Sequence, residues 1–151
     1  KISWCPTNNV IFKKNIIFDK NIKFDIRLND IGGSDQLFFK KLYLKGYEIR
    51  WNNKNFVIEK NQITRETLSW FLKRNYRYAS SGVLIDRYSY GLFKGLIISI
   101  IKIFYNFLLS LYNFLFFPFK PKISLLKSLK NLVRAFSILI GIFGIFPQRY
   151  I

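Results

Sequence analysis

GLFKGLIISIIKIFYNFLLSLYNFLFF, residues 91–117, is the stretch on which the fold turns. Tyrosines aside, its only polar side chains after Lys94 are Ser99, Lys102, Asn106, Ser110 and Asn113, spaced three, four, four and three apart. On a helix all five fall in one narrow stripe, and Ile, Leu, Phe and Tyr occupy the rest of the surface. The run is about 25 residues long, enough to cross a bilayer or to lie in its surface. Pro118 and Pro121 end it. Residues 123–146 repeat the arrangement with Lys127, Lys130 and Arg134, and Gly141 and Gly144 prolong the less apolar side. The uncharged part of that segment, 135–146, is too short to span a membrane by itself. A lysine at position 102 would cost about 2.5–3.5 kcal/mol at the bilayer centre, which favours helices lying in the interface plane. The other reading, two buried helices of a soluble domain, needs a larger core than the remaining residues supply.

Charge divides the chain at the same place. All eight acidic residues lie at or before Asp86, whereas residues 87–151 hold nine Lys or Arg and no carboxylate. An apolar, cationic tail suits the anionic cytoplasmic leaflet. The net charge of +17 raises nucleic acid as a partner. Lysine, asparagine, isoleucine and phenylalanine are spread evenly along the chain, however, and no basic face is clustered, so nucleic acid is not expected. Cys5 stands alone and histidine is absent, which removes a disulfide framework, a paired-cysteine metal site and histidine acid–base chemistry. The chain starts at Lys1 without a signal peptide, and so reads as beginning at an interior point of a longer protein.

Upstream of the tail the pattern is mixed. NVIFKK (9–14), YEIRW (47–51) and FVIE (56–59) read as strands, the last two separated by the turn-forming NNKN. NIIFDKNIKFD (15–25) settles on no period. Leu37, Phe38, Leu42 and Leu44 predict a helix over 35–45, capped by Ser34 or Asp35 and stopped by Gly46. Thr64 is the expected cap of a further helix containing Leu68, Trp70, Phe71 and Leu72, and ASSG (79–82) reads as a loop.

GGSD (32–35), Gly46, Trp51, Glu59 and RETLSW (65–70) with trailing Arg74 and Arg77 together resemble inverting family-two glycosyltransferases. The similarity is greatest to the exopolysaccharide group typified by succinoglycan glucosyltransferases. It covers residues 5–82 and extends to RAFSILIGIFGIFPQRY (134–150). Two departures stand out: Ser34 replaces the usual acid, and Lys40 or Lys41 stands where arginine is common. The resemblance implies an α/β fold, the acceptor-side half of a Rossmann-like GT-A domain over residues 1–86, followed by a membrane-associated helical tail over 87–151. It implies sugar transfer from a nucleotide diphosphate, most simply a UDP-sugar, to a glycan on a polyprenyl carrier at the cytoplasmic face of the cell membrane. A small basic membrane-associated protein that binds without catalysis is the alternative.

Such a transfer needs one carboxylate to take the proton of the attacking hydroxyl, and the resemblance gives that role to Asp35. Asp35 is equally suited to cap a helix. Thr7, Asn8, Asn9, Gly32, Gly33, Ser34, Trp51, Glu59 and Trp70 are the expected substrate-binding residues, with a packing role open for either tryptophan. Arg65, Arg74 and Arg77 are candidates for the leaving diphosphate, because a guanidinium fork matches phosphate oxygens; each also fits a solvated helix face. Mg²⁺ or Mn²⁺ would be held mainly by an N-terminal half that carries the Asp-x-Asp motif, and no metal ligand is expected in these residues.

Overall fold

A computed structural model describes residues 2, 5, 7–18, 22–60 and 62–147. Five helices follow in order: α1 (Lys14–Phe18), α2 (Ser34–Leu44), α3 (Leu68–Tyr90), α4 (Leu92–Leu115) and α5 (Pro121–Ile142), with 3-10 turns at Thr7–Asn9, Ile26–Leu28 and Ile63–Arg65.

The expected α/β half-domain is not what forms: the described residues are 67% helix, with no strand or sheet among them. The apolar alternation of YEIRW and FVIE builds no ladder among the described residues, and a strand without a continuous neighbour is not stable. Ile49 makes an isolated bridge to Ile2, with the Ile2 N–H donating to the Ile49 carbonyl at 3.1 Å. Phe56, Val57 and Ile58 are exposed coil, and NVIFKK runs from coil into the short α1. Residues 19–21 of the unassigned NIIFDKNIKFD and residues 148–150 of the tail motif lie outside the described residues.

Around α2 the chain folds against itself. Phe38, Phe39 and Leu42 bury their side chains with Cys5, Ile16 and Ile22, and Phe24 stacks on Phe38 at 4.2 Å between ring centroids. Gly46, at φ +86°, ends the helix as expected. At the other end the cap is Gly33 rather than Ser34 or Asp35. Leu37 on α2 meets Leu28 and Ile85, which fastens this unit to α3.

Thr67, not Thr64, caps α3: its hydroxyl accepts from the Trp70 N–H at 3.2 Å, while Thr64 lies in a 3-10 turn. The ASSG segment is no loop but the middle of α3. The Ser80 and Ser81 hydroxyls bond back to the carbonyls of Arg77 and Tyr78, both side chains are wholly buried, and the small residues let α5 come close. A Cβ on Gly141 would lie 3.1 Å from the Ser80 carbonyl oxygen. The division expected at residue 86 falls inside α3.

Gly91, at φ +85°, ends α3 and begins α4, which folds back along it. After Pro121, suited to a first helical turn, α5 returns antiparallel to α4. The resulting bundle has its polarity reversed. Gly95, Ser99, Asn106 and Ser110 of α4 face inward, as do Ser124, Ser128, Asn131, Ala135 and Gly141 of α5. The Ser110 hydroxyl donates to the Ser128 carbonyl at 2.9 Å, that of Ser124 to Phe116 at 3.1 Å, and that of Ser137 to Tyr76 on α3. Outward point Ile101, Phe104, Leu108 and Leu115 of α4, and Leu132, Phe136 and Leu139 of α5. Lys102, the residue that argued against a crossing, binds Asp86 of α3 at 2.5 Å. By length and composition α4 is able to cross a membrane.

Two alanine substitutions test this packing. A Cβ on Gly95 would stand 2.8 Å from the Arg87 Cα, whereas one on Gly82 meets nothing within 4 Å. In thermal unfolding of the detergent-solubilised chain, Gly82→Ala should stabilise by about 0.5–1 kcal/mol through helix propensity. Gly95→Ala should lower the midpoint, because α3 and α4 must part.

Candidate functional site

The start of α2 is built by two glycines. Gly32 and Gly33 sit at φ +91° and +93°, where a side chain is strained, and the Gly32 N–H donates to the Leu28 carbonyl at 2.7 Å. The same turn touches α3: a Cβ at Gly33 would lie 2.9 Å from Ile85, and one at Gly32 would lie 3.4 Å from Nε of Arg77. Asp35 follows in the first helical turn, half-buried, with Oδ1 accepting from the Gln36 N–H at 2.8 Å.

Beside Asp35 lies a cleft of about 940 Å³ between the α2 unit and the bundle. Asn8 and Asp35 line it together with Arg74 and Tyr78 of α3, Lys102 of α4, and Lys130 and Arg134 of α5. The guanidinium of Arg74 lies 4.9 Å from the Trp70 ring and 5.3 Å from that of Tyr78, so two aromatic faces hold it. Nε of Arg134 is buried without a hydrogen-bond partner, as is Nε of Arg77.

Several expected residues therefore converge. Asn8, Asp35 and Arg74 share the cleft, Trp70 supports Arg74, and Arg77 lies against Gly32, with its guanidinium 5.8 Å from the Tyr78 ring. Asn8 also donates to Glu59 at 3.1 Å, and Arg65 pairs with the other Glu59 oxygen at 3.5 Å, so the rim is tied together across 51 residues of sequence. Other residues do not gather there. Trp51 is 70% exposed and lines a separate cavity of about 970 Å³, together with Asn8 and Asn9. Asn9 donates to the Asn55 carbonyl at 3.4 Å, Thr7 is exposed on its 3-10 turn, and Ser34 is half-buried. Lys102, Asn106, Lys130, Asn131 and Arg134 were not foreseen as site residues. The signal for them was the polar stripe of the tail, which reads locally as amphipathicity.

Each carboxylate here already has a protein partner: Asp35 the Gln36 amide, Glu59 Asn8 and Arg65, and Asp86 Lys102. Among the described residues no group of three or more Cys, Asp or Glu could hold a metal, so these side chains do not fit a divalent cation. Burial pushes the Cys5 thiol up from its ordinary pKa, and the charge of Asp35 adds to the effect. Upstream of the glycines, the side-chain hydrogen bonds from Arg27, at 2.9 and 2.7 Å, hold the Asp25 carboxyl down at about 2. No family profile, curated protein or solved structure matches the chain.

Asp25 gives a pH test of the turn that leads into the glycines. A carboxyl whose pKa falls on folding stabilises the native state above its unfolded value near 3.8, and loses that contribution as pH drops toward about 2. In denaturant titrations the stability gap between the parent and Asp25→Asn should be constant at neutral pH and close between about pH 4 and pH 2. A gap unchanged across that range contradicts the pairing.

Proposed function

We propose that this chain forms the acceptor side of a glycosyltransferase acting at a membrane surface. The observation that carries the reading is the convergence of Asn8, Asp35 and Arg74 on one cleft from three distant parts of the sequence. The donor is a nucleotide diphosphate sugar such as a UDP-sugar, and the acceptor is a glycan on a polyprenyl carrier. The seat is the cytoplasmic face of the cell membrane, with the apolar sides of α4 and α5 turned to lipid.

In this mechanism the Asp35 carboxylate accepts the acceptor hydroxyl proton as that oxygen forms its bond to the sugar carbon. The bond from that carbon to the diphosphate breaks on the opposite side, with inversion. Its Oδ1 is occupied by the Gln36 amide, which orients the group and leaves Oδ2 for the proton. Charge grows on the departing diphosphate, and Arg74, steadied between two rings, supplies a fork-shaped pair of donors for it, with Arg77 behind the Gly32 turn. Asn8 at the cleft, with Thr7 and Asn9 beside it, offers amide and hydroxyl partners to sugar hydroxyls. None of these steps runs through a metal.

In the intact enzyme, Asp35→Asn should cut turnover by about a hundredfold or more while helicity and donor binding stay near parental. Retention of more than about a tenth of the activity removes the general-base role. The alternative, a basic membrane protein that binds without catalysis, expects Asp35→Asn to be silent. Arg74→Lys keeps the charge and loses the fork, so turnover should fall about tenfold. Parental turnover in both Arg74→Lys and Arg74→Ala would reject its assignment to the diphosphate.

A further inference from the structure

The cleft that holds Asp35 is cationic in a way that sugar transfer by itself does not require. Lys102, Lys130 and Arg134 project from α4 and α5, and Arg74 joins them from α3. Lys102 is paired with Asp86 and Arg74 serves the departing diphosphate, which leaves Lys130 and Arg134 in the lining with a single carboxylate, that of Asp35. The positive charge left over suits a further phosphate group. Arg134 brings a planar guanidinium to the lining, whose fork of donors matches phosphate oxygens. Asn106 donates to the Lys102 carbonyl at 2.7 Å and is thereby held in the wall.

Phosphate could arrive on a soluble molecule or on a lipid, and the surroundings favour the lipid. Tyr105 and Leu109 line the cleft, and Tyr105 is 63% exposed. They lead from the cationic wall onto the apolar outer face of α4, where Phe104 and Leu108 are exposed. A phosphate seated on Lys130 and Arg134 thus has an apolar surface beside it for an attached hydrocarbon chain. We propose that this cleft binds the phosphate group of a membrane lipid through Lys130 and Arg134. This deepens the sugar-transfer reading by naming the group that anchors the acceptor, and it rests on that reading only for the ligand being an acceptor.

The experiment is calorimetric titration of the full chain in neutral detergent with phosphatidic acid, with diacylglycerol as its phosphate-free counterpart, and with inorganic pyrophosphate. Phosphatidic acid should bind and diacylglycerol should not. Lys130→Gln and Arg134→Gln should each weaken binding by about tenfold, as expected for loss of one charge-assisted hydrogen bond. Lys122→Gln and Lys127→Gln remove equal charge from α5 away from the cleft lining and should change affinity by no more than about twofold. Equal losses in all four variants mean diffuse surface charge and overturn the site. Pyrophosphate binding as tightly as phosphatidic acid, with the same dependence on Lys130, overturns the lipid. Should Arg134→Gln fail to fold, Lys130→Gln decides the matter. None of these readouts involves transfer, so lipid-phosphate binding that persists while Asp35→Asn leaves turnover intact would sink the sugar-transfer reading alone.

Discussion

Asp86 is the last acidic residue of the chain, and it meets Lys102 in the middle of α4 at 2.5 Å. An unpaired lysine at that position would force α4 to turn its charged stripe toward water. Paired with Asp86, it allows the stripe to close onto α3 instead. With Ser99, Asn106 and Ser110 buried, the Ser99 hydroxyl bonds back to the Gly95 carbonyl, that of Ser110 bonds to Ser128 of α5, and Ser124 and Asn131 of α5 are buried as well. Leucine and phenylalanine are then left with only the outside. Helices joined by small and polar residues, with their apolar faces turned out, follow the packing logic of lipid rather than of water.

The cleft depends on the same arrangement. Lys130 and Arg134 share the cleft with Asp35 because the seam brings α5 alongside α3, where Gly141 closes on Ser80 and Arg87 donates to the Ile142 carbonyl at 2.8 Å. On the other side Gly32 and Gly33 press the start of α2 onto Arg77, Ser81 and Ile85. Two close approaches, each permitted by glycine, set the width of the site. The proposed base and the proposed phosphate seat thus share a cleft whose size depends on backbone contacts more than on side-chain choice.

Much of the helical tail is legible in the sequence because helix periodicity is a local property. The stripe from Ser99 to Asn113 and the prolines at 118 and 121 mark α4 and α5 nearly to their observed ends, and Gly46 marks the end of α2. The strands fail for a physical reason: alternation in YEIRW and FVIE describes a segment that could pair, and pairing is decided by what lies alongside. ASSG fails likewise. Small residues suit a turn and a tight helix contact equally well, and only the approach of Gly141 separates the two. Of the motif residues, Asp35 and Arg74 line one cleft, while Trp51 lines another cavity. Lys130 and Arg134 escaped because a cation on an amphipathic helix carries no sign of what it faces.

The reversed polarity of the bundle is most directly tested by spin-label accessibility in reconstituted bilayers. The single cysteine, Cys5, is first replaced by serine, and labels are placed at Phe104, Leu108 and Phe136, with Asn53 in the exposed loop after α2 as the aqueous reference. Labels at 104, 108 and 136 should be accessible to oxygen and shielded from a water-soluble nickel reagent, with the opposite pattern at 53. Nickel accessibility at Phe104, Leu108 and Phe136 equal to that at Asn53 would contradict the account, because those faces would then lie in water.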